Sequence, residues 1–193
     1  MHSDPQELAA PDGREHGPQQ AAVKPCDSCS MCCKLLHVTA LNKPQGRWCV
    51  HHAGGKCGIH AVKPFECSVF QCFWTVTPSL GEDWRPDRAK LILWSDGANR
   101  LIVEVDSASP QAWRREPYYS QMKTWASNAL PRGGQVVAYL EHETFVILPN
   151  RHVALGVMGP QDQLYIEHLP EGGWNARKVD SEEAEAIRKA GLA

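Results

Sequence analysis

The fold of this chain is decided by a stretch that reads Cys26-Asp-Ser-Cys29-Ser-Met-Cys32-Cys33 and continues to Cys49, Cys57, Cys67 and Cys72. All 8 cysteines of the 193-residue chain lie in this stretch, and none follows it. Two residues between thiolates allow a tight loop to turn both sulfur atoms towards one ion or one face of a cluster. The spacing therefore predicts that these eight cysteines are metal ligands.

The first residues favour a reducing compartment. The segment MHSDPQELAAPDGREHGPQQ is polar, carries acids at Asp4, Glu7 and Asp12, and lacks the basic start and apolar core of a secretory signal. We therefore expect a cytoplasmic protein. In the cytosol, thiols with ligand-like spacing are more often metal-bound or redox-active than paired in disulfides.

The spacing leaves the grouping of the cysteines open. Cys26, Cys29 and Cys32 are placed to hold three corners of one centre. Neighbouring side chains diverge in most backbone conformations, so Cys32 and Cys33 are not expected to ligate one small ion together. Eight thiolates can form two four-ligand sites, and one site with spare thiols satisfies the count as well.

The ligand types favour an iron-sulfur cluster over zinc. Zinc sites often combine cysteine with histidine, whereas repeated CxxCxxC runs with cysteine alone are commoner for iron-sulfur clusters, including 4Fe-4S. Four histidines lie inside the stretch, and we interpret them as exposed residues or donors to a sulfur rather than ligands: His37, His51, His52 and His60. Lysines and arginine outnumber acids here, which would moderate the negative charge of a thiolate centre, although lysines also simply solvate loops.

The cysteine stretch resembles the YkgJ-type cysteine-cluster family, described as zinc- or iron-chelating CxxCxxCC domains. The similarity covers about residues 24–75 and depends on five segments: Cys26-Asp-Ser-Cys29-Ser-Met-Cys32-Cys33, Cys49, Lys56-Cys57-Gly-Ile-His60, Lys63-Pro64-Phe-Glu-Cys67 and Phe70-Gln-Cys72-Phe-Trp74. The resemblance implies a bound zinc or iron centre. The related flagellin lysine methylases carry a similar cysteine cluster, which points towards iron-sulfur.

The chain departs from the family at three positions. It has His60, Lys63-Pro64 and Cys67-Ser68 where the family usually carries Tyr, Arg-Pro and Cys-Arg. No role of the family's arginines is therefore assigned to residues of this chain. The resemblance does not extend into the C-terminal half.

The remaining sequence predicts an α+β protein: a small, loop-rich, metal-stabilised cysteine module followed by an antiparallel β region with two or three helices. Residues 1–24 are expected to be disordered, residues 25–75 form the module, and residues 76–193 form the α+β region. One hairpin is predicted from Ala89–Trp94 and Leu101–Val105. A second hairpin is predicted from Gln135–Leu140 and Thr144–Leu148, and a further strand is predicted at Gln163–Glu167. A helix is expected after Ser109-Pro110, interrupted at Pro117, and a C-terminal helix is expected after Asp180.

Composition and motifs exclude several functions. A net charge of −2 gives no reason to expect nucleic-acid binding, and no apolar run is long enough for a membrane span. The chain has no Gly-rich phosphate loop, GxSxG or HExxH motif, so whether it is an enzyme stays open. We expect an iron-sulfur protein for electron transfer or redox sensing with a redox or protein partner. The alternatives are a zinc-binding structural or protein-interaction module and a metal chelation or transfer factor.

Overall fold

A computed structural model of the chain describes residues 24–26, 29–97 and 99–191. The disordered segment predicted for residues 1–24 lies outside the described residues, except for residue 24. The described residues combine helices with several β-sheets, which confirms the α+β class.

The cysteine module, residues 25–75, consists of short elements joined by loops. These are α1 (Cys32–Leu35), a 3-10 helix (Thr39–Leu41), β1 (His52–Ala53), β2 (Lys56–Cys57), a second 3-10 helix (His60–Val62), α2 (Phe65–Val69) and α3 (Phe73–Val76). Strands β1 and β2 are antiparallel, and the two residues that join them, Gly54 and Gly55, have φ angles of 56° and 76°. Glycine adopts these angles without steric cost, so the sequence favours this tight hairpin.

A five-stranded sheet follows the module. The chain reaches the sheet through a 3-10 helix (Glu82–Trp84) and α4 (Pro86–Ala89). The five strands are β3 (Leu91–Ser95), β4 (Arg100–Val105), β5 (Gln135–Leu140), β6 (Glu143–Ile147) and β7 (His152–Val157). They lie side by side in this same order. The pairs β3-β4 and β5-β6 are antiparallel, which confirms both predicted hairpins. Strand β7 was not predicted from the sequence.

One strand pair departs from the predicted antiparallel region. Strands β4 and β5 are parallel, with Arg100 opposite Gln135 and Val105 opposite Leu140. The connection between them is long enough to cross the sheet, and it contains a helix, as parallel neighbours require. The sheet is therefore mixed, because the helix between the two predicted hairpins returns the chain to the end at which β4 began.

This crossover corrects the first part of the predicted helix and confirms its continuation after Pro117. Ser109 and Pro110 precede only a 3-10 helix (Ala112–Arg114), and α5 (Tyr118–Ala129) begins after Pro117. A last 3-10 turn (Leu130–Arg132) ends at Gly133, whose φ of 71° is left-handed. Met122 and Ala126 of α5 are fully buried in the main core together with Trp113.

Alternating residues of β3 and β4 face two different layers. Leu91, Leu93 and Val103 belong to the main core with Met122 of α5, whereas Ile92 packs against Met31 and Leu35 of the cysteine module. Successive strand residues point to opposite faces, so Ile92 lies on the face of β3 opposite Leu91 and Leu93. The module packs on that face through Met31 and Leu35, and its Trp74 belongs to the main core. The module is thus built onto the sheet.

The C-terminal part forms a hairpin and a helix. Strands β8 (Gln163–His168) and β9 (Trp174–Val179) are antiparallel, and β9 lies beside β7. Helix α6 (Ser181–Lys189) begins after Asp180, whose carboxylate accepts a 2.8 Å hydrogen bond from the Glu183 amide. The predicted strand and capped helix are confirmed, while β9 was missed. Across the residues that the structure describes, no helix is both long and apolar enough to cross a bilayer.

A cleft of about 320 Å³ lies where the module meets the sheet, and Glu104 lines it beside Gln45 and Arg47. Glu104 is 8% exposed, and its carboxylate accepts a 2.6 Å hydrogen bond from the Gln45 amide. Burial raises the pKa of this carboxyl to about 7, although the hydrogen bond from Gln45 and the nearby Trp94 indole act in the opposite direction. A carboxyl therefore titrates near neutral pH at this junction.

We expect Glu104→Gln to stabilise the protein in alkaline buffer. The pKa of Glu104 in the folded protein is raised above its unfolded value of about 4.5. Ionisation of Glu104 therefore lowers the free energy of unfolding progressively as pH rises from about 4.5 to 7, and the full loss is reached above about pH 7. The variant should gain about 3 kcal/mol in the free energy of unfolding at about pH 8 and almost nothing at about pH 4. Urea unfolding at both pH values measures this, and an equal change at both would contradict it.

Candidate metal centre

The first cysteines are placed by consecutive tight turns. The Cys29 amide donates to the Cys26 carbonyl at 3.0 Å, and the Cys33 amide donates to the Ser30 carbonyl at 2.9 Å. Helix α1 then begins at Cys32. These turns wind the CxxCxxCC segment into a compact loop, so its four cysteines are neighbours, as their spacing predicts.

Three cysteines of the module pack towards the sheet, and the exposed Cys26 lies next to one of them. We call Cys26, Cys29, Cys32 and Cys72 the core-side group. Cys29, Cys32 and Cys72 all pack against the apolar cluster of Met31, Leu35 and Ile92. Cys26 joins them because its thiol donates to the Cys29 carbonyl at 3.6 Å. The tertiary fold therefore brings Cys72, distant in sequence, beside the CxxC opening.

The other four cysteines surround the β1-β2 hairpin; we call Cys33, Cys49, Cys57 and Cys67 the hairpin-side group. The Cys49 amide donates to the Cys33 carbonyl at 2.8 Å, and the thiols of Cys33 and Cys57 share a hydrogen bond. Cys67 lies in α2, where the charges of Cys33, Cys57 and Cys49 act on its thiol. The stretch after Cys33 thus folds back over Cys33.

Cys32 and Cys33 form the boundary between the groups. Their thiols share a hydrogen bond, which together with burial raises the pKa of Cys32. The same bond, helped by the charge of Lys43, lowers the pKa of the Cys33 thiol to about 7 despite its burial. Cys33 is therefore the thiol most ready to ionise in this pair, with the Cys32 thiol as its donor.

Backbone amides act on two thiols of the core-side group, those of Cys29 and Cys72. Burial raises the pKa of Cys29, while amide N–H groups of Met31 and Asp87 donate to its sulfur and lower it. Burial likewise raises the pKa of Cys72 to about 11, opposed by the amides of Trp74 and Thr75. Amide donors stabilise a thiolate, and they are among the groups that set the potential of an iron-sulfur cluster.

Lys43 is a buried cation beside the hairpin-side group. The residue is 5% exposed, and its ammonium donates to the carbonyls of Lys34 and Pro44 at 3.0 Å each and to that of Leu36. Burial lowers the pKa of Lys43, whereas the charges of nearby cysteines, Cys49 first, raise it. A positive charge fixed here offsets the negative charge of thiolates. The sequence showed Lys43 only as one of several lysines in the stretch, and no local signal marked it as buried.

The histidines of the stretch have other contacts. A ring nitrogen of His52 lies 2.9 Å from the Ser30 hydroxyl, and the His52 ring stacks on Trp48. His60 lies 3.4 Å from the Lys63 ammonium, and His37 is exposed. That the ligands are thiols rather than these histidines stays a prediction from the sequence.

All eight thiols are free, and none is paired in a disulfide. Among residues 24–26, 29–97 and 99–191, no three side chains of Cys, His, Asp or Glu are close enough together to hold an ion in the present arrangement. Ligation therefore requires the thiols of a group to rotate towards a common point. The donor set suits zinc or an iron-sulfur cluster, since free thiols, amide donors to sulfur and a buried cation occur together.

Comparison of the chain with family models, with curated proteins and with solved structures gives no match. The similarity to the YkgJ-type cysteine-cluster family therefore stays a prediction that depends on the residues quoted above.

Proposed function

We propose that the cysteine module holds an iron-sulfur cluster of the 4Fe-4S type and uses it for electron transfer or redox sensing in the cytoplasm. The observation that carries this proposal is the gathering of eight free thiols in one module, three of them packed on one apolar cluster. Neighbouring backbone amides lower the pKa of Cys29 and Cys72 against the effect of burial. Hydrogen bonds to cluster sulfurs and limited solvent access are the means by which a protein sets a cluster potential. Lys43 adds a fixed positive charge beside the thiolates.

A zinc-binding protein-interaction module is the second candidate. Five large apolar side chains of the module are each at least 47% exposed: Trp48, Val50, Val62, Phe65 and Val69. Exposed apolar side chains concentrated in one part of a protein are typical of surfaces that bind another protein. A structural zinc ion would hold the loops that present them.

Metal analysis of anaerobically purified protein tests both candidates. Brown protein that contains iron and inorganic sulfide supports the cluster, and colourless protein with stoichiometric zinc supports the interaction module. Substoichiometric, readily exchanged metal supports the chelation or transfer factor instead. Protein that is free of metal and has all eight thiols open to alkylation contradicts every one of these functions.

A further inference from the structure

The two cysteine groups are distinct neighbourhoods. In the core-side group, Cys29, Cys32 and Cys72 share one apolar cluster with Ile92 of the sheet, and the charges of Cys29 and Cys26 act on the Cys72 thiol. Ligands of one centre must lie within a few ångströms of a common point. The packing brings three of these cysteines onto one cluster, and Cys26 lies beside Cys29, so rotation of their thiols would direct them towards a common point.

The hairpin-side group is held together by different contacts. Cys33 and Cys49 are joined by a backbone hydrogen bond, Cys33 and Cys57 by their thiols, and Cys57 lies opposite His52 in the β1-β2 pair. None of these three cysteines packs against the Ile92 cluster. These contacts gather three cysteines around the hairpin, and Cys67 of α2 joins them because its thiol is acted on by the charges of all three.

Adjacent residues of α1 divide the two sets. In a helix, consecutive side chains point about 100° apart, so Cys32 and Cys33 face different directions even though their thiols touch. Cys32 packs on the apolar cluster, while Cys33 contacts Cys57. Cys26 also lies near enough to Cys33 for their charges to interact, which makes the two groups neighbours.

Cations lie near both groups. Four thiolates with a divalent ion, or with a 4Fe-4S core, carry about two excess negative charges. Lys43 acts on three hairpin-side cysteines and on Cys32, Arg85 acts on Cys26 and Cys29, and Lys63 acts on Cys26 and Cys33. These positive charges offset the negative charge of two adjacent centres, although they do not themselves divide the cysteines.

We infer that the chain holds two separate four-thiolate centres, one on Cys26, Cys29, Cys32 and Cys72 and the other on Cys33, Cys49, Cys57 and Cys67. This inference rests on the proposed function, since both centres need bound metal. Adjacent centres joined through Cys32 and Cys33 would give a two-step path for electrons if they are clusters, and a two-ion module if they are zinc sites.

Metal content of serine variants of the full chain tests the division. Cys26→Ser and Cys57→Ser should each lose about half of the wild-type metal. The same-group doubles C26S/C29S and C57S/C67S should lose no more than the single variants, whereas the cross-group double C26S/C57S should lose all of it. Complete loss in either single variant, or equal loss in same-group and cross-group doubles, overturns the two-centre arrangement.

A second measurement needs no variant and so does not depend on folding of the serine proteins. When a chelator is titrated into wild-type holoprotein, alkylation followed by mass spectrometry should show four thiols of one group becoming reactive before the four of the other. The starting protein must contain metal for this comparison. If all eight thiols then become reactive together, or if the first reactive thiols come from both groups, the division is overturned. Wild-type protein without metal overturns the proposed function as well, which distinguishes the two failures.

Discussion

On the proposed function, chelation of the metal from wild-type holoprotein, in anaerobic and reducing buffer, is expected to unfold residues 29–72 and to leave the five-stranded sheet folded. Across this stretch the buried apolar residues are few: Met31, Leu35, Val38 and Cys49. Strands β5 and β6, in contrast, contain fully buried Val137, Val146 and Ile147. A structural metal site in a small module contributes on the order of 10 to 16 kcal/mol to the free energy of folding. The stabilisation from these few buried residues is too small to compensate for the loss of that contribution.

Amide hydrogen exchange with peptide resolution measures this effect before and after chelation. Amides of α1 and α2 should lose their protection, and amides of β4 and β5 in the same sample serve as the internal control. Retained protection in α1 and α2 of metal-free protein would show that packing alone holds the module. Loss of protection throughout the chain would show that the sheet depends on the module.

Lys34→Met is expected to lower the free energy of unfolding by about 3 to 5 kcal/mol. The Lys34 ammonium lies 2.5 Å from the Asp106 carboxylate, and the two side chains are only 14% and 7% exposed. The substitution leaves Asp106 buried, with the Ala108 amide at 3.0 Å as its remaining hydrogen-bond donor. Urea unfolding of the variant measures the loss.

The matched control is Lys189→Met. Lys189 lies 2.7 Å from Glu185 on the surface of α6, with side chains 74% and 57% exposed. Solvent and salt screen such a pair, so the loss should stay below about 1 kcal/mol. Since the substitution and the ion-pair distance are similar, burial accounts for the difference. Equal losses in the two variants would contradict the importance of the Lys34-Asp106 pair for docking the module onto the sheet.

Local signals predicted most of the regular elements. The hairpins were predicted from β-prone runs, the first pair flanking a turn-rich insert, and α6 was predicted because Asp180 lies three residues before Glu183. Strand β7 was missed, and so was β9, because neither has a strong alternating pattern: β7 is interrupted by Gly156, and β9 carries Asn175, Arg177 and Lys178. Pairing with neighbouring strands decides such segments.

The sequence by itself determined that all eight cysteines lie in one stretch. Its CxxCxxCC spacing, which acts through the backbone of a few consecutive residues, predicts them as metal ligands. Only the tertiary structure decided which cysteines become neighbours, because Cys72 meets Cys29 through the apolar cluster on Ile92, and Cys57 meets Cys33 through the β1-β2 hairpin. The burial of Lys43 and the parallel β4-β5 pair were decided in the same way. Contacts between residues distant in sequence depend on how faces pack together, and no short motif encodes them.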